Sequence, residues 1–367
     1  MYELTIFFNL LTLLIRKKVI LCAAALMCGT MMFAQSNTSD VLQTGNGNDA
    51  EVAQTGLTND SDITQTGNNN DYQTTQNGTS NISTATQTGH RNLGGGPGLT
   101  WGTLQLGTNN LSTTTSDGND NNTGTAQQGN NNVGLIDQDG NGNYANGAPS
   151  AAFFGLLQVG DDNSAVIDQD GNDNFGSSAQ RGNDNDYRTT QNGNDNFSST
   201  TQTGDRNNGT YLWGTNQQGN NNFASSNSTG DDNEAGTGQY GNFNTSSIDQ
   251  IGDRNDANGG FFGNYQVGNG NTASISQIGD DNDAQNTQIG NANNASTSQM
   301  GTFNVSTTDQ LGNLNISSVM QDGFANMSDV NQNGNLNTSS VSQTGTTHMS
   351  TVTQNGNGNG SSVTQNN

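Results

Sequence analysis

Glutamine, glycine and asparagine recur at a fixed spacing, and their side chains offer amide hydrogen bonding rather than acid–base or nucleophilic chemistry. Ten glutamines lie eleven residues apart between Gln266 and Gln365. Glycine follows two residues after each of the first nine, and asparagine five residues after, with His348 as the exception. A primary amide both donates and accepts, so a row of identical amides can pair with itself. The residues assigned to such ladders are Gln266, Gln277, Gln288, Gln299, Gln310, Gln321, Gln332, Gln343, Gln354, Asn271, Asn282, Asn293, Asn304, Asn315, Asn326 and Asn337, and those assigned to turns are Gly268, Gly279, Gly290, Gly301 and Gly312.

The element that must position these amides is a short strand followed by a tight turn. Seven residues after each glutamine the side chain is usually Ala or Ser, and nine residues after it is usually Val, Ile or Thr. Asparagine, the small residue, the β-branched residue and the next glutamine are therefore spaced by two, which places them on one face of a strand. The segment with the glycine reads as a turn. Consecutive units bury the patterned face by coiling on one another, which predicts an all-β solenoid.

The repeat extends over most of the chain and is interrupted four times. There are twenty-eight units, of which the first starts at Gln43. Of the 27 intervals between the starts of successive units, 23 are eleven residues long. The long intervals contain the aromatic segments 94–101, 148–157, 211–213 and 259–263. We expect these insertions to cover a sheet edge or to form contacts between fibres, or else to be loops at coil corners. They divide the repeats into blocks near 43–157, 158–265 and 266–367.

A longer duplication bears on the size of the coil. Residues 70–78 match residues 185–193 almost completely, and the insertions that follow also resemble each other at the same distance of nine units. Nine is an odd number, so two units per coil would place the two copies on opposite sheets. Three units per coil would place them on the same side. The residues alone leave both possibilities open.

Composition and charge exclude several classes of protein. The chain has 28% hydrophobic residues, 50 Gly, 2 Pro and a net charge of −24. That composition is typical of a disordered chain, but disorder gives no physical reason to hold Gln, Gly and Asn in register over so many units. The acidity excludes a nucleic-acid partner. The Asp side chains fall in repeated turns, which points to no enzyme, no catalytic residues and no cofactor.

The N-terminal segment has the pattern of a secretory signal peptide. Basic residues 16–18 precede an apolar run that ends in small residues, which predicts a leader over residues 1–34 with cleavage after Ala34. A short segment, 35–42, would then precede the repeats at 43–367. Both Cys and both Lys lie in the leader, and its removal would change the net charge to −26. A retained membrane helix is the alternative.

The unit resembles the curlin repeat of curli fibre subunits. Residues 43–54 show the full pattern Gln-x-Gly-x-x-Asn-x-Ala-x-x-x-Gln, and a second glycine of that family stands at Gly47, Gly142, Gly270 and Gly358. In other units Asn or Asp often replaces this second glycine. The resemblance implies a β-solenoid with two units per coil. It also implies a secreted subunit that assembles with itself into amyloid fibres of a biofilm matrix. Its expected partners are a nucleator subunit and an outer-membrane export channel.

Other interpretations of the repeat were weighed. The main alternative is a cell-surface solenoid adhesin that does not polymerise. An ice-binding solenoid is a minor one, because it needs a regular Thr array on one flat face. A right-handed coiled coil is excluded by the fixed glycines. Turns such as 160–163 could bind Ca²⁺ weakly, but solvated acidic turns are the simpler interpretation, so no metal site is expected.

Overall fold

The computed structural model describes residues 36–94, 102–145, 155–209, 214–258 and 262–367. The expected leader over residues 1–34 and most of the four aromatic insertions lie outside these residues. The described residues form short strands joined by turns, and contain no helix that could cross a membrane.

The strands follow one another at the spacing of the sequence repeat. In chain order they are β1 (Thr38–Asn46), β2 (Asp49–Leu57), β3 (Asp60–Asn68), β4 (Asp71–Thr79), β5 (Ile82–His90), β6 (Leu93–Gly94), β7 (Thr103–Thr108), β8 (Leu111–Asn119), β9 (Asn122–Thr123), β10 (Thr125–Asn130), β11 (Val133–Asp139), β12 (Tyr144–Ala145), β13 (Leu156–Val159), β14 (Ser164–Asp170), β15 (Phe175–Arg181), β16 (Asp186–Asn192) and β17 (Phe197–Thr203). They continue as β18 (Asn208–Gly209), β19 (Thr215–Gln218), β20 (Phe223–Thr229), β21 (Glu234–Ala235), β22 (Thr237–Tyr240), β23 (Thr245–Ile251), β24 (Asp256–Ala257), β25 (Asn264–Val267), β26 (Thr272–Ile278), β27 (Asp283–Ile289), β28 (Asn294–Thr302), β29 (Val305–Leu311), β30 (Ile316–Phe324), β31 (Met327–Asn333), β32 (Thr338–Thr346), β33 (Met349–Asn355) and β34 (Gly360–Asn366).

These strands form two parallel sheets that wind into a solenoid of about 14 turns. Sheet 1 contains β1, β3, β5, β8, β11, β14, β16, β18, β19, β21, β22, β24, β25, β27, β29, β31 and β33, and sheet 2 contains the other strands. Where no insertion intervenes, each residue pairs with the residue 22 positions later, as Gln277 does with Gln299. One coil therefore holds two units, which confirms the predicted β-solenoid and decides between the two coil sizes.

The interior is a stack of columns, each formed by one position of the repeat. Glutamine and asparagine columns are buried alongside the small residues, and the β-branched positions supply the apolar part of the core. In the last coils Val319, Val330, Val341 and Val352 form one continuous apolar cluster. The polar columns mean that the interior depends on hydrogen bonding as well as on apolar burial.

The aromatic insertions interrupt strands rather than turns, so the expectation that they are loops at coil corners is wrong. The first departs between β6 and β7, and the third departs between β18 and β19. In both cases the strand stops after the small inward residue, Gly94 or Gly209. It resumes at the next inward residue, Thr103 or Thr215. The first lies in sheet 2 and the third in sheet 1. The duplicated segments thus lie on opposite sheets, as two units per coil require.

A buried tyrosine lies beneath each of these two insertions. Tyr72 and Tyr187 occupy inward positions where other units have small residues, and both are completely buried. The hydroxyl of Tyr72 is 2.8 Å from Thr103 Oγ1 in the next coil. Gly94 and Gly102 border the first insertion, and a Cβ at either one would overlap the Tyr72 ring. The large ring is accommodated because the next coil opens above it between two glycines.

The small inward serines of the last coils leave their hydroxyl groups without partners. The hydroxyls of Ser317, Ser328 and Ser339 are buried and make no hydrogen bond. Alanine occupies the same column in the preceding coil, where Ala295 pairs with Ser317. Because an unpaired buried hydroxyl costs free energy, we expect Ser317→Ala to stabilise the soluble chain by about 1 kcal/mol. Urea unfolding measures this change. The matched control is the adjacent outward Ser318→Ala, and equal effects from the two variants would contradict the burial argument.

Candidate assembly ladders

The glutamine column forms a ladder of side-chain hydrogen bonds along each sheet, which is continuous to the C-terminal coil from Gln138 in sheet 1 and from Gln250 in sheet 2. Gln288 Nε2 donates to Gln310 Oε1 in the next coil at 2.9 Å. Its second N–H donates across the interior to the Thr272 carbonyl of the facing sheet, also at 2.9 Å. Bonds of 2.8–3.0 Å along the stack also join Gln266 to Gln288, Gln277 to Gln299, Gln299 to Gln321, Gln310 to Gln332, Gln321 to Gln343 and Gln332 to Gln354. Each amide therefore links neighbouring coils and also the two sheets.

The inward asparagines form a second ladder that runs in the opposite direction. The backbone N–H of Asn293 donates to Asn271 Oδ1 of the preceding coil at 3.0 Å. Its Nδ2 donates to the carbonyl of Gly312 in the following coil at 2.8 Å. The same bond to the preceding side chain is made by Asn271, Asn282, Asn304, Asn315, Asn326 and Asn337. His348 keeps the backbone donation to Asn326 Oδ1, and its Nε2 lies 3.1 Å from the carbonyl oxygen of Thr344.

The turn glycines are required by this asparagine ladder. Gly279 has a φ of +113°, a region that disfavours side chains. A Cβ there would overlap the carbonyl oxygen of Gly301 in the next coil. That same oxygen accepts the bond from Asn282 Nδ2 at 2.9 Å. Gly268, Gly290, Gly301 and Gly312 have the same positive φ and the same close approach.

A third ladder, which the sequence analysis did not identify, lies on one outer corner of the coil. The residue after the turn glycine is asparagine in every unit of sheet 1 from Asn119 onward. Asn313, for example, donates from its backbone N–H and from Nδ2 to Asn335 Oδ1 at 2.9 and 3.0 Å. The members are Asn119, Asn141, Asn172, Asn194, Asn220, Asn242, Asn269, Asn291, Asn313, Asn335 and Asn357. The sequence does show this asparagine, but it recurs every 22 residues, in alternate units. An alignment of all units at eleven residues mixes the two kinds of unit and hides it.

The position of the family's second glycine keeps one backbone conformation whatever residue occupies it. Gly270 has a φ of +64°, and Asp281, Phe303 and Leu314 have φ between +56° and +59° at the equivalent place. Asparagine and aspartate tolerate this left-handed conformation better than most residues. The departures from glycine at this position therefore leave the turn unchanged.

The two ends of the ladders are complementary. At the N-terminal coil, Gln43 and Gln54 donate to the next coil and leave their Oε1 atoms facing the open end. At the C-terminal coil, Gln354 and Gln365 donate across the interior, which leaves one N–H of each pointing along the stack. In the glutamine ladders, acceptors thus face the N-terminal end and donors face the C-terminal end. The backbone edges of β1, β2, β33 and β34 are also unpaired on their outer sides.

Burial and stacked carboxylates on sheet 1 raise the pKa of Asp256. Asp256 pairs in register with Glu234 on one side and with Asp283 on the other. Burial first, and then the neighbouring charges of Asp283 and Glu234, raise the pKa of Asp256 to about 6. Burial also raises the pKa of Asp283 and of Asp309. Folding therefore favours the protonated form of these groups.

This shift predicts that mild acid stabilises the fold. A carboxyl whose pKa is raised in the folded state costs stability above that pKa, and the cost disappears as pH falls toward the unfolded value near 3.8. We expect the soluble chain to gain about 1–2 kcal/mol from Asp256 between pH 7 and pH 4.5, after a discount for partial exposure. Asp256→Asn should provide that gain in stability at pH 7. The free energy of unfolding of this variant should then depend less steeply on pH.

The matched control is Asp249→Asn, which removes the same charge beside the uncharged Asn227 and Ser276. Urea unfolding at several pH values gives both profiles. The same slope in the Asp256→Asn variant as in the native chain would contradict the role of the stacked carboxylates.

Within the part of the chain that the structure describes, no group of three or more His, Cys, Asp or Glu side chains is arranged to hold a metal ion. Four arginine–aspartate pairs do occur on the surface, such as Arg206 with Asp232 at 2.7 Å. Three of these pairs lie between successive coils at exposed corners, and Arg188 with Asp168 lies on the outer surface of sheet 1. Exposed ion pairs contribute little to stability.

Comparison with known proteins agrees with the geometry. The sequence matches the family model of the curlin associated repeat at residues 34–67, 230–258, 265–290 and 325–356. This is a structural, non-enzymatic family of extracellular and cell-surface proteins. No curated protein matches the chain. The same register continues between the matched stretches, since β28 outside them pairs with β26 inside at every residue from Thr272 to Ile278. The chain therefore contains curlin associated repeats in these four regions.

Proposed function

We propose that this protein is a secreted structural subunit that assembles with itself, end to end, into curli-like amyloid fibres of an extracellular matrix. The observation that carries the proposal is the complementarity of the two open ends. Donor amides and one set of strand edges face outward at the C-terminal coil, and acceptor amides and the other set face outward at the N-terminal coil. A second copy added at either end continues both sheets and both inner ladders.

The number of units supports this mode of growth. Twenty-eight units make a whole number of two-unit coils, so the chain starts in sheet 1 and finishes in sheet 2. A following copy would place its β1 on β33 and its β2 on β34 without a change of register. Unpaired strand edges of this kind are templates for another chain, which most soluble proteins cover.

Three further parts of the proposal rest on the family. Secretion follows the expected leader, and a nucleator subunit and an outer-membrane export channel are the proposed partners. A role in adhesion and aggregation within a biofilm is proposed on the same grounds. The ladder and turn residues named from the sequence are proposed to be the residues that make elongation specific.

Seeding separates this function from that of an adhesin that stays a single solenoid. We expect residues 35–367, purified in denaturant and diluted, to form fibres after a lag that sonicated fibres of the same chain abolish. A seed of an unrelated amyloid is the control, because it lacks the matching amide columns. A chain that remains monomeric and folded with homologous seeds present would contradict the proposal and favour the adhesin.

Charge should control the rate of nucleation. Asp side chains supply most of the charge on the surface, and addition of a subunit brings these carboxylates together. Such repulsion decreases with salt, since the Debye length is about 8 Å at physiological ionic strength. It also decreases as Asp protonates, while the neutral amide ladders do not titrate. We expect the lag time to shorten with added salt and to shorten again between pH 7 and pH 4. A lag that stays constant or lengthens on acidification would show that charge does not limit assembly.

A further inference from the structure

A column of nine consecutive serines lies in the middle of the outer surface of sheet 2. Register pairing joins each serine to the next, from the strand that begins at Phe175 to the last strand of the chain. The members are Ser177, Ser199, Ser225, Ser247, Ser274, Ser296, Ser318, Ser340 and Ser362. We call the outer surface of sheet 2 over these nine coils the serine face. Among the residues that the structure describes, no outward column within the strands of sheet 1 keeps one residue type in this way.

The serine face is nearly uncharged, whereas the opposite surface of the same coils is acidic. Outward side chains of the serine face include one arginine and two aspartates, at Arg181, Asp249 and Asp322. Sheet 1 carries eight outward carboxylates and one arginine over these coils, at Asp168, Asp170, Asp186, Arg188, Glu234, Asp256, Asp283, Asp309 and Asp329. Two copies packed through sheet 1 would bury carboxylates against carboxylates. Two copies packed through the serine face would not incur that cost.

The shape of the serine face suits contact with another flat sheet. A central column of small side chains lets a facing sheet approach to about 10 Å, the usual distance between packed sheets. Nine strands of seven residues cover roughly 40 Å by 20 Å at standard strand dimensions, or about 800 Å² on each partner. That area equals the contribution of one partner to a stable protein–protein interface of standard size.

An apolar ladder beside the serines supplies an anchor. Phe175, Phe197 and Phe223 stack at 4.8 Å between ring centroids with nearly parallel planes. The rings face one another along the solenoid axis, so the surface they present outward consists of ring edges. Ring edges pack against small side chains, whereas a sugar ring needs an exposed aromatic face. The column on the other side of the serines is small over the same three coils, with Ala179, Thr201 and Asn227.

We propose that the serine face is the surface through which a second copy of this chain docks side by side. A twofold axis parallel to the solenoid axis places serines against serines and the Phe ladder of each copy against the small column of the other. The acidic sheet 1 of both copies then faces solvent. In a fibre this contact joins two filaments, and it is separate from the end-to-end contact that lengthens each filament.

The test compares two variants with the same added charge on opposite surfaces. Ser225→Glu, Ser274→Glu and Ser318→Glu place three carboxylates on alternate coils of the serine face. The control, Thr113→Glu, Gln285→Glu and Thr351→Glu, places three on outward positions of sheet 1. Sedimentation of the fresh soluble chain and electron microscopy of grown fibres both report side-by-side association. We expect the native chain and the control to show dimers or paired filaments, and the serine-face variant to show at least a tenfold weaker dimer and single filaments.

Three outcomes would overturn the proposal. The first is a native chain that is monomeric and gives only single filaments. The second is equal loss of pairing in both variants, which would indicate net charge rather than a particular surface. The third is a serine-face variant that still pairs, which would place the contact elsewhere, for example at the exposed apolar corner around Met300, Phe303 and Phe324. If no fibres form at all, end-to-end assembly fails, while sedimentation still decides whether the serine face dimerises.

Discussion

Replacement of Gln299, Gln310 and Gln321 by leucine is expected to abolish ordered fibre growth and to destabilise the soluble chain by several kcal/mol. These three amides are almost fully buried, and they belong to the glutamine ladders of the two sheets. Their removal leaves Nε2 of Gln277 and Gln288 without an acceptor along the stack. An unsatisfied buried polar group costs about 1–3 kcal/mol, and the triple change creates such groups on both sheets. Urea unfolding and seeded elongation rates measure the two effects.

The matched controls are the outward neighbours Ser296→Ala, Thr307→Ala and Ser318→Ala. They keep the same coils but leave the amide ladders intact, so elongation should change little. Comparable loss of stability in both sets would mean that the inner amides are not what holds successive coils together. A glutamine-to-leucine chain that still elongates on native seeds would show that backbone pairing alone specifies growth.

Gly94→Ala is expected to destabilise the chain by about 1–3 kcal/mol, although alanine and serine are the usual residues at equivalent positions of other coils. The backbone of Gly94 is not in the left-handed region, so conformation alone permits alanine. The added Cβ would overlap the ring of Tyr72, which is fully buried in the preceding coil. Tyr72→Ala removes a large buried side chain and should cost about 3–5 kcal/mol by itself.

A double-mutant cycle tests the contact. If Gly94 is needed only because of the tyrosine ring, the two changes together should cost at least 1 kcal/mol less than the sum of the single changes. Ser61→Ala is the control, because it changes a small inward residue at a position with no tyrosine beneath it. Additive effects of Gly94→Ala and Tyr72→Ala would contradict the proposed link between the buried tyrosine and the insertion.

The coil was predictable because each unit carries its own periodicity of two and its own turn glycine. The inward direction of Gln, Asn, Ala or Ser, and Val or Ile follows from strand alternation, and the structure places these residues in buried columns. The number of units per coil did not follow from periodicity, since two and three both satisfy an eleven-residue pattern. That choice came from the resemblance to curlin repeats and is confirmed by the pairing of residues 22 apart.

Other features depend on contacts between coils, which a single unit does not encode. The outer ladder at Asn313 and the serine column at Ser274 appear only when alternate units are compared, because the two sheets face different surroundings. At the first insertion, the need for glycine at Gly94 depends on the ring of Tyr72 in the coil before. The duplicated Asn-Asp-Tyr sequence can be recognised in the sequence. The contact of its tyrosine with the next coil can be recognised only once the coils are stacked.

The central claim is that one chain continues the solenoid of another, and an intermolecular disulfide tests it directly. In an end-to-end fibre Leu42 of one copy lies beside Thr353 of the next, since both are outward residues directly before a ladder glutamine in sheet 1. Within one chain these residues are separated by nearly the whole solenoid, roughly 60 Å at the inter-strand spacing. Both native cysteines lie in the expected leader, so a chain of residues 35–367 with Leu42→Cys and Thr353→Cys can cross-link only between copies.

Paired strands bring these two Cα atoms to about 4.8 Å, within the range that a disulfide spans. The account predicts a ladder of covalent oligomers when fibres of this variant are oxidised. The control, Leu42→Cys with Asn331→Cys, moves the second thiol back by one coil and should give no ladder. Fibres without cross-links at 42 and 353, or with equal cross-linking of both pairs, would contradict end-to-end continuation of the solenoid.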